Sequence, residues 1–340
     1  MFTDEEDPLY AVTLGRVRGG RERECGRCDG SSLVMDGAGY VELCRVCMER
    51  KRSALLLGRY FVIREIQRGT HSATFKARDI YFCVSCRRSP RRGCRNSGHR
   101  DVCVKVLRPQ SEGTGEKEWR ALWMLGGCGG NVCEVMDHFS ITVSAKSFLC
   151  VVMEFLQPIR ARHSDGDFVR RVCADLLGVL CVLHKRKIIH GDIKTENVMQ
   201  GGGRYKLVDF GLCVLRGKKK PKKIQSRFFR APEVLRGEDY DEKTDMWSLG
   251  CLLFHLATGK YIFKERTDSG MMKQIVSLFG KRPIQAFEVE EKIGQLLGTA
   301  DSAFVSFVSL LLNPSPEKRV SSQTALCHPF LLFHIDKQIQ

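Results

Sequence analysis

Two hydrophobic periodicities divide the chain. From Tyr60 to Ala77 apolar residues alternate with polar ones, with Phe61, Ile63, Ile66 and Phe75 placed around a turn at Gly69, and this pattern predicts a β-hairpin. Val102–Leu107 predicts a strand, Glu116–Leu125 a short helix and Phe148–Phe155 a buried strand. After Phe155 the spacing changes. Phe168, Val172, Leu176, Leu180 and Leu183 recur every three to four residues, one face of a long helix. Thr244 or Asp245 can cap a second apolar helix, Met246–Ala257, closed by Gly259, and Phe304–Leu312 and Thr324–Leu332 predict further helices. Strands first and helices later predict an α+β chain with a small antiparallel sheet lobe joined to a larger helical lobe.

The first 57 residues belong to neither pattern. An acidic stretch and then Gly and Arg read as a loose arm, followed by Cys25-x2-Cys28 and Cys44-x2-Cys47. Fifteen residues between the pairs suffice for a hairpin to return, and four thiolates make a closed tetrahedral site, so a structural Zn²⁺ is expected here, against four unrelated thiols. Cys83, Cys86, Cys94 and His99 form a second cluster, inside an Arg-rich insert at 81–100. It reads either as a second zinc site or as a solvated basic loop with incidental thiols. Cys103, Cys133, Cys150, Cys173, Cys181 and Cys251 fall on apolar stretches and read as small core residues.

Charge sharpens the picture. The 340 residues carry 55 Lys+Arg against 39 Asp+Glu, a net +16, which by itself suggests a nucleic-acid or anionic-membrane partner. Six Arg at 87, 88, 91, 92, 95 and 100, and eight Lys/Arg between 216 and 230, hold fourteen of those charges without a carboxylate among them. The excess therefore belongs to two segments. No run reaches the ~18 apolar residues needed to span a bilayer, so no membrane partner is expected. The acidic start lacks a signal-peptide pattern, and the expected site is intracellular, nucleus or cytoplasm.

One stretch carries chemistry. His190-Gly-Asp192-Ile-Lys194-Thr-Glu-Asn197 follows the long helix, and Asp209-Phe210-Gly211 follows a strand-like Tyr205–Val208. Phosphoryl transfer needs a base for a hydroxyl proton, cations against phosphate charge and hard oxygen ligands for Mg²⁺. Asp192 can be the base, Lys194 can neutralise the moving phosphoryl group, and Asn197 and Asp209 can hold Mg²⁺. Upstream, Lys105 on a strand can meet the α/β phosphates of ATP, and Glu118 can brace it as an ion pair.

Here the sequence resembles the eukaryotic protein kinase family, from about Tyr60 to Phe330. Val102-Cys-Val-Lys105 is similar to its V-A-I-K, and Glu118 to its helix-C glutamate. Val151–Leu156 resembles its hinge strand, which implies Met153 as gatekeeper and Glu154 and Leu156 at the nucleotide. Ala231-Pro-Glu233 matches A-P-E, Asp245-Met-Trp-Ser-Leu-Gly250 matches D-x-W-S-x-G, and Lys318-Arg319 with Ala325–Phe330 matches the terminal signature. The resemblance implies an Arg319–Glu233 pair. Lys194-Thr-Glu-Asn197 is of the serine/threonine type, and Ile224-Gln-Ser-Arg-Phe-Phe-Arg230 is similar to the tyrosine-regulated dual-specificity and homeodomain-interacting kinases of the CMGC group. The short connection after Phe263 and the loop at Gly69 also resemble kinases of large DNA viruses.

Three departures qualify the resemblance. At the glycine-loop positions stand Gln67, Gly69 and Ser72, so only Gly69 remains to approach ATP closely. Gly191 replaces the arginine that receives an activating phosphate in regulated relatives, and Pro221-Lys222-Lys223 replaces their Tyr-x-Tyr. These changes predict activity without activation-loop phosphorylation. The basic run at 216–223 reads as a solvated loop, a nuclear-localisation tract or a lip for acidic or pre-phosphorylated protein substrates. The expected molecule is thus a bilobal kinase: zinc module 1–57, small lobe 58–156, large lobe 157–340. The alternatives are a catalytically poor, zinc-dependent scaffold and a nucleic-acid-binding protein using the Arg-rich cluster.

Overall fold

In the computed structural model the described residues are 33–35, 41–43, 55–57, 59–69, 72–80, 100–108, 131–143, 146–159, 165–215, 220–280 and 286–331. The chain divides into two compact units, residues 1–119 with 134–155, and residues 120–133 with 156–340.

The first unit is built on β3 (Leu55–Leu56), β4 (Tyr60–Arg68), β5 (Ser72–Asp79), β6 (Arg100–Leu107), β7 (Val135–Val143) and β8 (Lys146–Glu154). They form one antiparallel sheet in the order β3-β4-β5-β6-β8-β7. The hairpin expected at Gly69 is β4–β5, closed by the Gly69 N–H donating to Ser72 O at 2.9 Å. Its inward face is not led by the residues that mark the alternation. Tyr60, Val62, Phe75 and Ala77 are buried, whereas Phe61 and Ile66 are exposed. Irregularities after Val62 and after Glu65 shift the β4–β5 register, and each shift moves side chains to the other face. The core of this unit continues through Val102, Val104, Val106, Phe139, Phe148 and Val152. Asp79 and Arg100 are cross-strand partners, so the insert between them leaves and re-enters the sheet at adjacent strand ends. Arg59 fixes that edge through a two-pronged bond to Asp79 at 2.9 and 2.8 Å.

A short hairpin, β1 (Leu33–Met35) with β2 (Val41–Leu43), occupies the stretch between the first two cysteine pairs. Cys25, Cys28, Cys44 and Cys47, and Cys83, Cys86, Cys94 and His99, all lie outside the described residues. No metal-binding cluster occurs among the described ones.

The second unit is helical, with a small sheet β9 (Gln157–Pro158), β10 (Val198–Gly201) and β11 (Arg204–Leu207) in the order β11-β10-β9. Its helices are α1 (Gly166–Lys185), α2 (Pro232–Arg236), α3 (Lys243–Thr258), α4 (Asp268–Phe279), α5 (Ala286–Leu297), α6 (Ser302–Leu311) and α7 (Ser322–Ala325). The face read from the sequence is the buried face of α1: Phe168, Val172, Leu176, Leu180 and Leu183 are all buried, and Asp165 caps the helix by accepting from Phe168 N–H. Helix α3 is buried nearly all round, with Trp247 in its second turn, and it ends at a left-handed Gly259. Neither expected cap serves it: its N-cap is Glu242, with no side-chain bond, because the Asp245 carboxylate turns to other partners. The last expected helix is shorter than predicted. Helix α7 stops at Ala325 because Pro329 cannot donate a backbone bond and disfavours helix at the residue before it. Among the described residues no single helix is long and apolar enough to cross a membrane.

Arg319 and Glu233 pair as the resemblance implied. The guanidinium grips both carboxylate oxygens at 2.7 and 3.0 Å and also donates to Asn313 O and Lys243 O, with the side chains 0% and 2% exposed. It lies over the Trp247 ring at 5.2 Å. Removing one member of such a pair strands a buried charge. Arg319→Ala is expected to destabilise the helical unit by about 3–5 kcal/mol in urea unfolding followed by tryptophan fluorescence, and a loss under ~1 kcal/mol would contradict this.

Candidate active site

The site begins with a turn that the sequence makes possible. After α1, Ile188 and Ile189 are buried, and Ile189 forms an antiparallel bridge with Val214. The next residues cannot continue as a strand, because Gly191 adopts φ +75°. A Cβ there would stand 2.8 Å from Leu212 O, so the turn admits glycine on both counts. The turn directs the His190 and Gly191 N–H groups at one buried carboxylate, Asp245, at 2.8 and 3.0 Å. His184 Nε2–H donates to the same carboxylate at 3.1 Å, and its Nδ1 meets Ser322 Oγ at 3.0 Å.

His190 is fully buried, and burial pushes its pKa down in spite of Asp245, Asp192 and Asp209 nearby. The neutral ring suits its partners: Nε2–H donates to Val208 O at 3.2 Å, and Nδ1 accepts from Asp192 N–H at 3.2 Å. The ring packs edge-on to Phe210, with centroids 4.7 Å apart. Phe210 is itself fully buried, which fixes the Asp209-Phe210-Gly211 turn. Asp209 stands at φ +64°, a left-handed conformation that costs a non-glycine residue of order 1–3 kcal/mol.

Asp192, Lys194 and Asn197 converge. The Asp192 Oδ2 accepts from Lys194 Nζ at 2.6 Å and from Asn197 Nδ2 at 3.1 Å. The Asn197 amide also donates to Asp192 O at 2.9 Å, which leaves its Oδ1 as the oxygen open to a cation. Val208 N–H donates to Asn197 O at 3.0 Å, so Asn197 sits beside the strand that delivers Asp209. Asn197 and Asp209 are hard oxygen donors, and this donor set fits Mg²⁺.

Two residues outside the expected set complete the arrangement. Ser226 gives its N–H and its hydroxyl to Asp192 Oδ1 at 3.1 and 2.7 Å, and its hydroxyl oxygen accepts from Lys194 at 3.1 Å. Gln225, at φ +67°, makes that reach possible. Its N–H donates to Gly191 O at 2.8 Å, its side-chain amide to Thr244 O and Ser248 Oγ, and its Oε1 accepts from Ala231 N–H. The signal for both was the Ile224-Gln-Ser-Arg sequence before Ala231-Pro-Glu233.

Of the remaining expected residues, Lys105, Gly69 and Glu154 stand in the sheet unit. Lys105 lies on β6 between Thr74 and Val151. Glu154 is tied to Glu134 twice: its carboxylate accepts from Glu134 N–H at 2.8 Å and its own N–H donates to Glu134 O at 3.0 Å. Leu156 opens the helical unit and packs where a Cβ on Gly201 would collide with it. Glu118 lies outside the described residues. The basic run is more engaged than its composition suggests: Lys220 pairs with Asp239 at 2.9 Å and Lys223 with Asp268 at 2.7 Å, while Lys222 is exposed.

Residues 91–331 match the family described as the protein kinase domain. The serine/threonine-protein kinase ppk5 of Schizosaccharomyces pombe is 30% identical over 241 residues, 59% of this chain and 28% of that protein. The dual specificity tyrosine-phosphorylation-regulated kinase mbk-2 of Caenorhabditis elegans is 29% identical over 250 residues, 69% of this chain and 28% of that protein. The human dual specificity tyrosine-phosphorylation-regulated kinase 3 is 31% identical over 173 residues, 48% of this chain and 29% of that protein. The chain thus spans less than a third of the length of these curated relatives. A crystal structure of a kinase domain superposes with a TM-score of 0.63 at 19% identity, covering 82% of this chain and 97% of the other, and supports the fold.

Proposed function

The chain belongs to the protein kinase family, and from that premise we propose that it transfers the γ-phosphate of ATP to serine or threonine hydroxyls of proteins. The observation that carries this reading is the Asp192 carboxylate, held at both oxygens by Lys194, Asn197 and Ser226. Asp192 receives the proton of the substrate hydroxyl, which takes the place of one of its present donors. Lys194, already against Asp192, steadies charge on the moving phosphoryl group. Asn197 through Oδ1, and Asp209, hold the metal, and Lys105, braced by Glu118, holds the α/β phosphates. When bound, Mg²⁺ neutralises phosphate charge. Gly69 and the hinge residues Glu154 and Leu156 complete the nucleotide side.

The reading includes activity without phosphorylation of the activation segment. Between Gly211 and Ala231 the only hydroxyl is that of Ser226, and it is committed to Asp192 and Lys194. Acidic or pre-phosphorylated substrates are favoured by Lys222 and the neighbouring basic residues, less strongly than eight charges would imply, since Lys220 and Lys223 face carboxylates of the chain itself.

Cys25, Cys28, Cys44 and Cys47 are further proposed to bind a structural Zn²⁺. The support is the β1–β2 hairpin, which returns the chain between the two pairs.

Chain made in bacteria and treated with phosphatase is expected to label acidic test peptides from Mg-ATP in preference to basic ones. Asp192→Ala should lower the rate by about 10²–10⁴-fold. Equal incorporation by both proteins would remove the kinase reading. Elemental analysis of the same preparation is expected to find zinc that a Cys25→Ser, Cys28→Ser variant loses in part. Equal zinc in both would remove the first zinc site.

A further inference from the structure

The activation segment is fastened by a carboxylate that comes from elsewhere in the chain. Asp268, in the first turn of α4, meets three cations of the segment: Lys223 Nζ at 2.7 Å, Arg230 Nη1 at 2.9 Å and Arg227 Nε at 3.8 Å. Lys223 above all holds the Asp268 carboxyl below the usual carboxylate range. Of the three cations Arg230 is the buried one, its side chain 8% exposed. Its other donors go inward, Nε–H to Ile224 O at 3.0 Å and Nη2–H to Gln225 O at 2.7 Å. A buried guanidinium that loses its carboxylate is an uncompensated charge, and it must move or draw in water. Motion of Arg230 releases the two carbonyls that define the left-handed turn at Gln225. That turn aims the Ser226 N–H and hydroxyl at Asp192. A continuous series of short bonds therefore runs from Asp268 through Arg230, Gln225 and Ser226 to the Asp192 carboxylate.

The segment supplies no anion of its own, and Asp239, its other carboxylate partner, meets Lys220 and not the Lys223–Arg230 stretch. Between Gly211 and Ala231 it contains no Asp or Glu, and its single hydroxyl, on Ser226, is engaged with Asp192. A strand of chain this basic repels itself, and an opposing charge has to be supplied from outside it.

We propose that Asp268 is a positioning residue for Asp192: a permanent intrachain anion that gathers Lys223, Arg227 and Arg230 and keeps the activation segment in its substrate-accepting form without phosphate. This rests on the kinase reading above. Asp268→Asn keeps the size and the helix start but removes the charge, and Asp268→Glu restores it. For Asp268→Asn, kcat for peptide phosphorylation is expected to fall about tenfold with KM for ATP unchanged, and Asp268→Glu should recover most of the loss. A merely structural role would move both constants and would not follow charge. Limited trypsin digestion reads the clamp without any reliance on activity. Cleavage within 222–227 is expected to accelerate in Asp268→Asn and to stay at the wild-type rate in Asp268→Glu. Unchanged kcat in Asp268→Asn overturns the proposal, whether or not digestion accelerates. A wild-type chain that transfers no phosphate, yet shows the charge-dependent digestion, removes the kinase reading and leaves the clamp standing.

Discussion

The helical unit is organised around one buried carboxylate. Asp245 is 0% exposed and lies inside α3, where a charge is costly unless every oxygen is bonded. It is satisfied by the two N–H groups of the His190–Gly191 turn and by His184 from α1. That requirement explains why Gly191 sits where a Cβ would strike Leu212, and why α3 goes without a side-chain cap. The turn then sets the direction of Asp192, which the neutral His190 ring supports from beneath through Asp192 N–H. The residues of this loop that bear on the site are each fastened: His190 and Gly191 to Asp245, Asp192 to His190, and Lys194 and Asn197 to Asp192.

The activation segment is held from the other side. Gln225 is the pivot: its main chain reaches Gly191, its side chain reaches α3, and its carbonyl reaches Arg230. A left-handed non-glycine residue is strained, and here the surroundings use every polar group it has. The two halves of the site, catalytic loop and segment, therefore share α3 as a common floor. The same floor carries Trp247, over whose ring the Arg319 guanidinium of the Arg319–Glu233 pair lies.

Much of this was legible in the sequence because it is written in short linear motifs. The convergence of Asp192, Lys194 and Asn197 needs only six residues of chain, and the Arg319–Glu233 pair follows from two short signatures. The face of β4 was not legible, because Phe61 alternates outward between the buried Tyr60 and Val62, and two irregularities further along, whose positions depend on the neighbouring strand, reset the register before Ile66. The contribution of Ser226 was hidden as well. It folds back across 34 residues, and only the backbone twist at Gln225 brings it to Asp192. The basic run looked like free charge because its partners, Asp239 and Asp268, lie 19 and 45 residues away from Lys220 and Lys223. Local pattern specifies which residues are chemical; distant pairing decides which of them remain available.

The dependence of the site on Asp245 is open to direct measurement. Hydrogen exchange at the His190 and Gly191 amides, taken together with phosphate transfer in Asp245→Asn, isolates it. Asn retains one acceptor and the shape of the side chain but loses the second acceptor and the charge. That dependence predicts an Asp245→Asn chain that still unfolds cooperatively, with faster exchange at those two amides and a rate lower by about 10²-fold, as expected when a reacting group is displaced by ~1 Å. Faster exchange with an unchanged rate of transfer would contradict it.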